Sequence, residues 1–257
     1  MPNITSWLRI FGFDIRKCIQ AILGYNIYIK HRREFRNSLG NDFKWGKEFP
    51  IIGDWSESSG NAGAYFFQDI LVARWVYEAS PIRHIDVGSR LDGFIAHLAV
   101  FREVEVLDIR QQSANINNIK FWQIDLTCEL QPHWINATDS LSCLHTIEHF
   151  GLGRYGDRID INGYKKGFNQ LKSLLKPGGI LYISTPLGSQ RVEFNAHRVF
   201  SAVTILSWFD ENWIIEKFAV IDDNNNLIIN PDRSKQNIAN NFGCNTGVAI
   251  IVARRLQ

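Results

Sequence analysis

The sequence predicts an α/β fold: a doubly wound sheet of about seven mostly parallel strands, the last antiparallel, behind an N-terminal helical or irregular extension. Three observations lead there. Short apolar runs alternate with helical patterns between residues 82 and 185. A glycine-bearing turn directly follows the first of those runs. The tail carries two strand-like runs with no clear helix between them, which suits an antiparallel pair at a sheet edge.

Residues 1–60 read as an accessory region rich in aromatics, with Trp7, Phe11, Phe13, Phe35, Phe43, Trp45 and Trp55. It closes on the turn formers Ser56-Glu57-Ser58-Ser59-Gly60-Asn61, and residues 61–257 form the main domain. From Ala64 a helix is predicted, with Phe67, Ile70, Leu71, Arg74, Trp75 and Tyr77 near helical spacing, ended by Ser80-Pro81. Strands follow over 82–87, 104–108, 121–125 and 140–145, with a short helix over 94–101. A helix over 161–176 places Ile161, Tyr164, Phe168, Leu171 and Leu175 on one side and is stopped by Lys176-Pro177-Gly178-Gly179. The run 180–184 reads as a strand buried on both faces, and 213–221 and 247–253 are the late strands.

The 257 residues are 45% hydrophobic and 21% charged, as in an ordinary globular protein. A net charge of +2 lacks the basic excess of a nucleic-acid binder, so none is expected as partner. The run Lys30-His31-Arg32-Arg33, with Arg36 behind it, reads as a solvated helix face or as a partner or membrane patch. No stretch reaches the roughly 20 apolar residues of a membrane span. Residues 7–29 are apolar but broken by Arg9, Asp14, Arg16 and Lys17, without the layout of a secretory signal. They are expected to dock on the main domain or on a second copy in a homodimer, with peripheral membrane contact as the other reading. Cys18, Cys128, Cys143 and Cys244 show no paired spacing, which implies free thiols and a cytoplasmic location.

In a parallel sheet, ligands bind beyond the carboxyl ends of the strands. Three polar features fall there. The turn Asp86-Val87-Gly88-Ser89-Arg90-Leu91-Asp92-Gly93 lets backbone approach a ligand and opens onto helix N–H groups. Asp108 ends the second strand about 20 residues on, where a carboxylate can accept ribose hydroxyls. Asp125, after the third strand, can receive an exocyclic amine. A nicotinamide enzyme would more often show G-x-G-x-x-G, and here Arg90 replaces the middle glycine.

These residues, with Asp125-Leu126, Leu144-His145-Thr146-Ile147-Glu148-His149 and Leu175-Lys176-Pro177-Gly178-Gly179, resemble the ordered motifs of class I S-adenosylmethionine-dependent methyltransferases. The resemblance covers residues 82–185 and implies a Rossmann-like sheet and S-adenosylmethionine as cofactor. It places the methionine part at Asp86, Gly88, Ser89, Arg90 and Gly93 with His145 nearby, the ribose on Asp108 and the adenine on Asp125. The stretches 145–157 and Phe194-Asn195-Ala196-His197-Arg198 resemble more narrowly an uncharacterised methyltransferase-like family often found in bacterial surface-polysaccharide gene sets. That implies a small-molecule carbohydrate acceptor, a sugar hydroxyl or a nucleotide sugar. The turn departs from the family at Arg90 and Asp92, which stand where small residues are usual. Arg90 either blocks the cofactor's amino-acid end or pairs with its carboxylate.

Methyl transfer from a sulfonium is an in-line displacement in which positioning supplies much of the rate. A hydroxyl acceptor must also lose a proton, which calls for a base that titrates near neutrality. His149 and His197 are the catalytic candidates, with His145 behind them. Glu148, Arg154, Tyr155, Asp157, Asn195 and Arg198 are expected to hold the acceptor, the first loop folding over it. Arg154 and Arg198 suit a phosphate or carboxylate, and bracing a surface loop is the alternative for Arg154 and Asp157. His145, Glu148 and His149 have metal-ligand spacing for a helix, but His145 falls on a strand and no metal is expected. The competing reading is a binding or assembly protein that keeps the fold and has lost the cofactor.

Overall fold

The structure is a computed structural model and describes residues 8–52, 54, 59–60 and 62–256. Trp7, Trp55, Ser56, Glu57, Ser58 and Asn61, named above, lie outside the described residues. The chain divides into two compact units, Met1–Asn61 and Ala62–Gln257.

In the first unit, helix α1 spans Ile15–Asn37. It starts where Asp14 caps it, its carboxylate accepting from the backbone N–H of Arg16 (2.9 Å) and Lys17 (3.3 Å). The helix therefore runs on through the basic run 30–33. That run is partly engaged, because Arg32 pairs with Glu48 at 2.6 Å and Arg36 lies 5.2 Å over the Trp45 ring. Trp45 is thus a platform for guanidinium groups rather than a buried core residue.

The second unit is a three-layer α/β/α domain. Helix α2 (Ala64–Ala79) ends at Ser80, whose left-handed φ of 45° turns the chain toward the sheet. Strands β1 (His84–Val87), β2 (Val104–Asp108), β3 (Ile119–Gln123), β4 (Thr138–Leu144), β5 (Leu175–Leu187), β8 (Trp213–Ile221), β9 (Leu227–Ile229) and β10 (Gly247–Arg255) form one sheet. Its order is β3-β2-β1-β4-β5-β10-β8-β9. A separate hairpin joins β6 (Arg191–Glu193) to β7 (His197–Val199). Helices α3 (Ala96–Ala99), α4 (Gly163–Leu174), α5 (Ala202–Leu206) and α6 (Lys235–Ala239) complete it.

Strands β1 to β5 pair in parallel, and β10 runs antiparallel to both β5 and β8. The final strand is therefore antiparallel, as the sequence predicts, but it lies inside the sheet, and β9 adds an eighth strand at the edge. Alternation along the strands fills two cores. Ile85, Leu141, Ile183 and Leu171 meet on one face. Val104, Val106, Tyr182, Trp75 and Phe94 meet on the other.

Several boundaries differ from expectation, three of them with a clear cause or consequence. Strand β3 lies two residues early, so Asp125 stands past its end. Helix α4 is shorter at both ends, because Ile161 is exposed and Leu175 already has extended backbone. The Lys176-Pro177-Gly178-Gly179 stop belongs to β5. Among the described residues no helix is long and apolar enough to cross a membrane.

Candidate active site

The exit of β1 rests on a buried polar chain. Asp86 is fully buried, and its carboxylate accepts from the Ser89 N–H (3.0 Å), the Ser89 hydroxyl (2.9 Å) and the Ser142 hydroxyl (2.5 Å). Ser142 spends its proton on Asp86, so His84 Nε2–H donates to it (3.0 Å), and His84 Nδ1 accepts from Ser140 (2.7 Å). Burial pushes the Asp86 carboxyl up to about 7 and holds the His84 imidazole down at about 3. Asp86 does not line the cavity above; it fixes the turn from below. Gly88, at φ +73°, packs so closely that a Cβ would clash with the Thr146 methyl, which holds the exits of β1 and β4 together. Arg90 faces outward and is paired with Asp92 (2.7 Å), their side chains 78% and 70% exposed. It therefore stands at the rim and leaves the cavity open.

Asp108 closes β2 and is almost fully buried. Arg110 grips it, donating from its backbone N–H (2.8 Å) and Nε (2.9 Å) to Oδ1 and from Nη2 (2.5 Å) to Oδ2. The same guanidinium lies 4.6 Å over the Tyr155 ring, which carries Arg154 at 5.1 Å. Asp125 is half-buried. Its Oδ1 accepts from Thr127 N–H (2.8 Å) and hydroxyl (2.7 Å), while among the described residues Oδ2 meets only the Cys128 thiol at 3.7 Å.

Across the cavity, β4 runs out into a tight turn, Ile147–His149. His145 Nδ1–H donates to Glu148 Oε1 (2.9 Å), and the ring lies 4.7 Å from that of Tyr65. Both side chains are deeply buried, yet among the described residues His145 Nε2 and Glu148 Oε2 have no partner. His149 Nδ1–H donates to the Ala196 carbonyl (2.7 Å), which Arg154 also reaches (2.9 Å). Its Nε2 is left as a lone pair, and burial lowers its affinity for a second proton. His197 lies on β7, with its ring 6.4 Å from that of His149 and its Nε2 3.4 Å from Glu193.

Three expected acceptor contacts are used otherwise. Asp157 accepts from the N–H groups of Gly151 (2.7 Å), Gly153 (3.3 Å) and Tyr155 (3.3 Å), so it braces the loop. Arg198 is buried away from the cavity and donates to the carbonyls of Phe150 (2.6 Å) and Glu148 (3.2 Å). Asn195 is exposed on the hairpin and does not line the cavity.

One cavity of about 870 Å³ runs over the ends of β1, β2 and β4, lined by the glycine turn, Asp108, Asp125, His145, Glu148, His149, Arg154 and His197. Among the described residues no group of three His, Cys, Asp or Glu is placed to hold a metal ion. Residues 93–248, more than half of the sequence, match the family described as Caenorhabditis protein of unknown function, DUF268. The chain belongs to that family.

Among curated proteins none matches this DUF268 chain. Solved structures do. N-methyltransferase NodS from Bradyrhizobium japonicum WM9, in complex with S-adenosyl-L-homocysteine, is 10% identical with a TM-score of 0.50, over 77% of this chain and 90% of that one. The [4+2]-cyclase SpnF is 15% identical with a TM-score of 0.50, over 77% and 85%. The YcgJ protein from Bacillus subtilis is 12% identical with a TM-score of 0.50, over 74% and 99%. The DUF268 chain thus has the Rossmann-like fold of these proteins. Two of them carry different reaction names, so the fold leaves the reaction to be argued from the site.

Sequence reasoning missed part of the lining. Arg110 sits two residues beyond Asp108, in a loop, and its contact with Tyr155 is purely tertiary. Tyr65, Gln68 and Asp69 reach the cavity from α2. Gln68-Asp69, a polar pair inside an otherwise apolar helix, was the available signal.

Proposed function

We propose that this DUF268 chain is an S-adenosylmethionine-dependent methyltransferase acting on a small polar acceptor, a sugar hydroxyl or a nucleotide sugar of surface-glycan biosynthesis. The observation that carries the reading is the shared cavity, which gathers a glycine turn, Asp108 and Asp125 on one side and His145, Glu148, His149 and His197 on the other. The residues fit the cofactor. Each carboxylate oxygen has two lone-pair sites. Arg110 takes both on Asp108 Oδ1 but only one on Oδ2, so one ribose hydroxyl has a place at once and a second requires Arg110 to shift. Asp125 Oδ2 is open to an exocyclic amine.

When bound, the cofactor supplies an electrophilic methyl group on sulfonium. The chain's own residues then orient an acceptor and take its proton. His149 is the favoured base: its Nδ1–H is anchored on Ala196, so the bare Nε2 accepts. His197 is the second, with its Nε2 near Glu193. Glu148 Oε2, unpartnered, suits a neighbouring hydroxyl of the acceptor. Arg154 and Tyr155 form the rim, where a guanidinium suits a phosphate.

Calorimetry with S-adenosylmethionine and S-adenosylhomocysteine tests the reading. The wild type should bind both, and Asp108→Ala should lose about tenfold or more. No binding at millimolar ligand would defeat it. One observation favours the second reading, a non-catalytic binding or assembly protein: the Arg110 fork on Asp108. In that case the wild type binds neither compound and Arg110→Ala restores binding.

A further inference from the structure

Asp69 lies on the inner face of α2, 9% exposed, and lines the cavity. Its Oδ1 accepts from the Gln68 amide (3.0 Å), whose oxygen accepts from Ser184 on β5 (2.5 Å), so the carboxylate is held by a relay anchored in the sheet. Its Oδ2 lies against Gly93, where a Cβ would come within 2.8 Å, so glycine lets the turn pass this close. Burial raises the carboxyl above its ordinary range, and the Gln68 hydrogen bond opposes this.

A second observation points the same way. His145 is nine-tenths buried and gives Nδ1–H to Glu148, so its unpartnered Nε2 is a lone pair. A carboxylate and a bare imidazole nitrogen both want donors, and the carboxylate also wants positive charge. An anion is repelled here, and a hydroxyl leaves the charge unanswered. A primary ammonium answers both with one charge and three N–H groups.

We propose that Asp69 and His145 together receive the ammonium at the amino-acid end of the cofactor. The proposal rests on the methyltransferase reading. Asp69 fixes the charge, His145 accepts a second N–H, and Glu148 sets the His145 tautomer. The adenosine is then left to Asp108 and Asp125 at the other end of the cavity.

The test is a chemical double-mutant cycle by calorimetry. The ligands are S-adenosylhomocysteine and its analogue with hydrogen in place of the α-amino group; the proteins are the wild type and Asp69→Asn. The wild type should bind the analogue about tenfold or more weakly. Asp69→Asn should lose a similar factor for S-adenosylhomocysteine and little for the analogue, so the two losses do not add. Equal wild-type affinity for both ligands overturns the proposal while the cofactor reading stands. So does an equal loss of both ligands in the variant. Failure of the wild type to bind S-adenosylhomocysteine defeats both. If Asp69→Asn does not fold, the wild-type pair decides alone.

Discussion

Beneath the glycine turn, the buried titratable groups are fully engaged: Asp86 takes three hydrogen bonds, and His84 is held at both nitrogens. Across the cavity, Glu148 is as deeply buried and His145 nearly so, yet among the described residues each keeps one atom without a partner. A buried polar atom left unpaired costs stability, so an arrangement that leaves two of them together is built around something else. The difference separates what the chain completes for itself from what it leaves for a ligand. The first end is scaffold; the second is a half-made set of hydrogen bonds.

That contrast can be broken or sharpened by substitution. The largest effect is expected at Gly88. Gly88→Val combines a strained φ of +73° with a clash on Thr146, and should destabilise the fold by about 3 kcal/mol or more in urea unfolding. Next comes Ser142→Ala, which removes a donor from buried Asp86 and a partner from His84. It should cost about 1–3 kcal/mol by the same measurement. A cost below a few tenths of a kcal/mol would mean the floor is not the finished structure described here.

The same chain of bonds has a pH signature. Asp86 in the folded protein keeps its proton up to about 7, whereas the unfolded chain releases it near 3.8, so its contribution falls as pH rises between those values. His84 stays neutral in the fold down to about 3 and is protonated below 6.5 when unfolded, so its contribution rises with pH over that window. The two oppose one another. Asp86→Asn should leave stability climbing more steeply from pH 4 to 6.5 than in the wild type, and His84→Gln should tilt it the other way. Parallel profiles for both variants would show that the two groups do not titrate as described.

The smallest effect separates the two ends by sign. Glu148→Gln removes a buried charge whose second oxygen has no partner, so the free protein should hold or gain up to about 1 kcal/mol while ligand binding weakens. A loss on the scale of Ser142→Ala would erase the distinction.

Much of this scaffold was legible. Strand β2 is Val104–Asp108, as the sequence predicts, because its alternating residues are sharply bounded by turn formers and charge. Strand β3 lies at the sheet edge with half-exposed residues, so its pattern is diluted by Lys120 and Gln123 and the reading slipped toward Asp125. The sequence overextends helix α4 because Leu175 continues the helical spacing while its backbone has already become extended. Three residues, Leu227–Ile229, were too few to mark β9. At the site, Asp86, Asp108 and Asp125 stand out because strand ends announce themselves. The partners of Asp108, Asp157 and Arg198 do not, since each was chosen by packing between distant segments. Arg198 looks like an anion-binding residue in sequence and is a staple between loops in space.

Tyr155 carries one more consequence. Its ring supports Arg110, which grips Asp108, and Arg154, which shares the Ala196 carbonyl with His149. A single aromatic side chain is thus common property of both ends of the cavity. Redesigning this protein for a new acceptor by replacing Arg154 or Tyr155 would also retune the grip on Asp108. Selectivity and cofactor affinity would then drift together under mutation, and a library that varies only the acceptor wall would need Arg110 among its randomised positions.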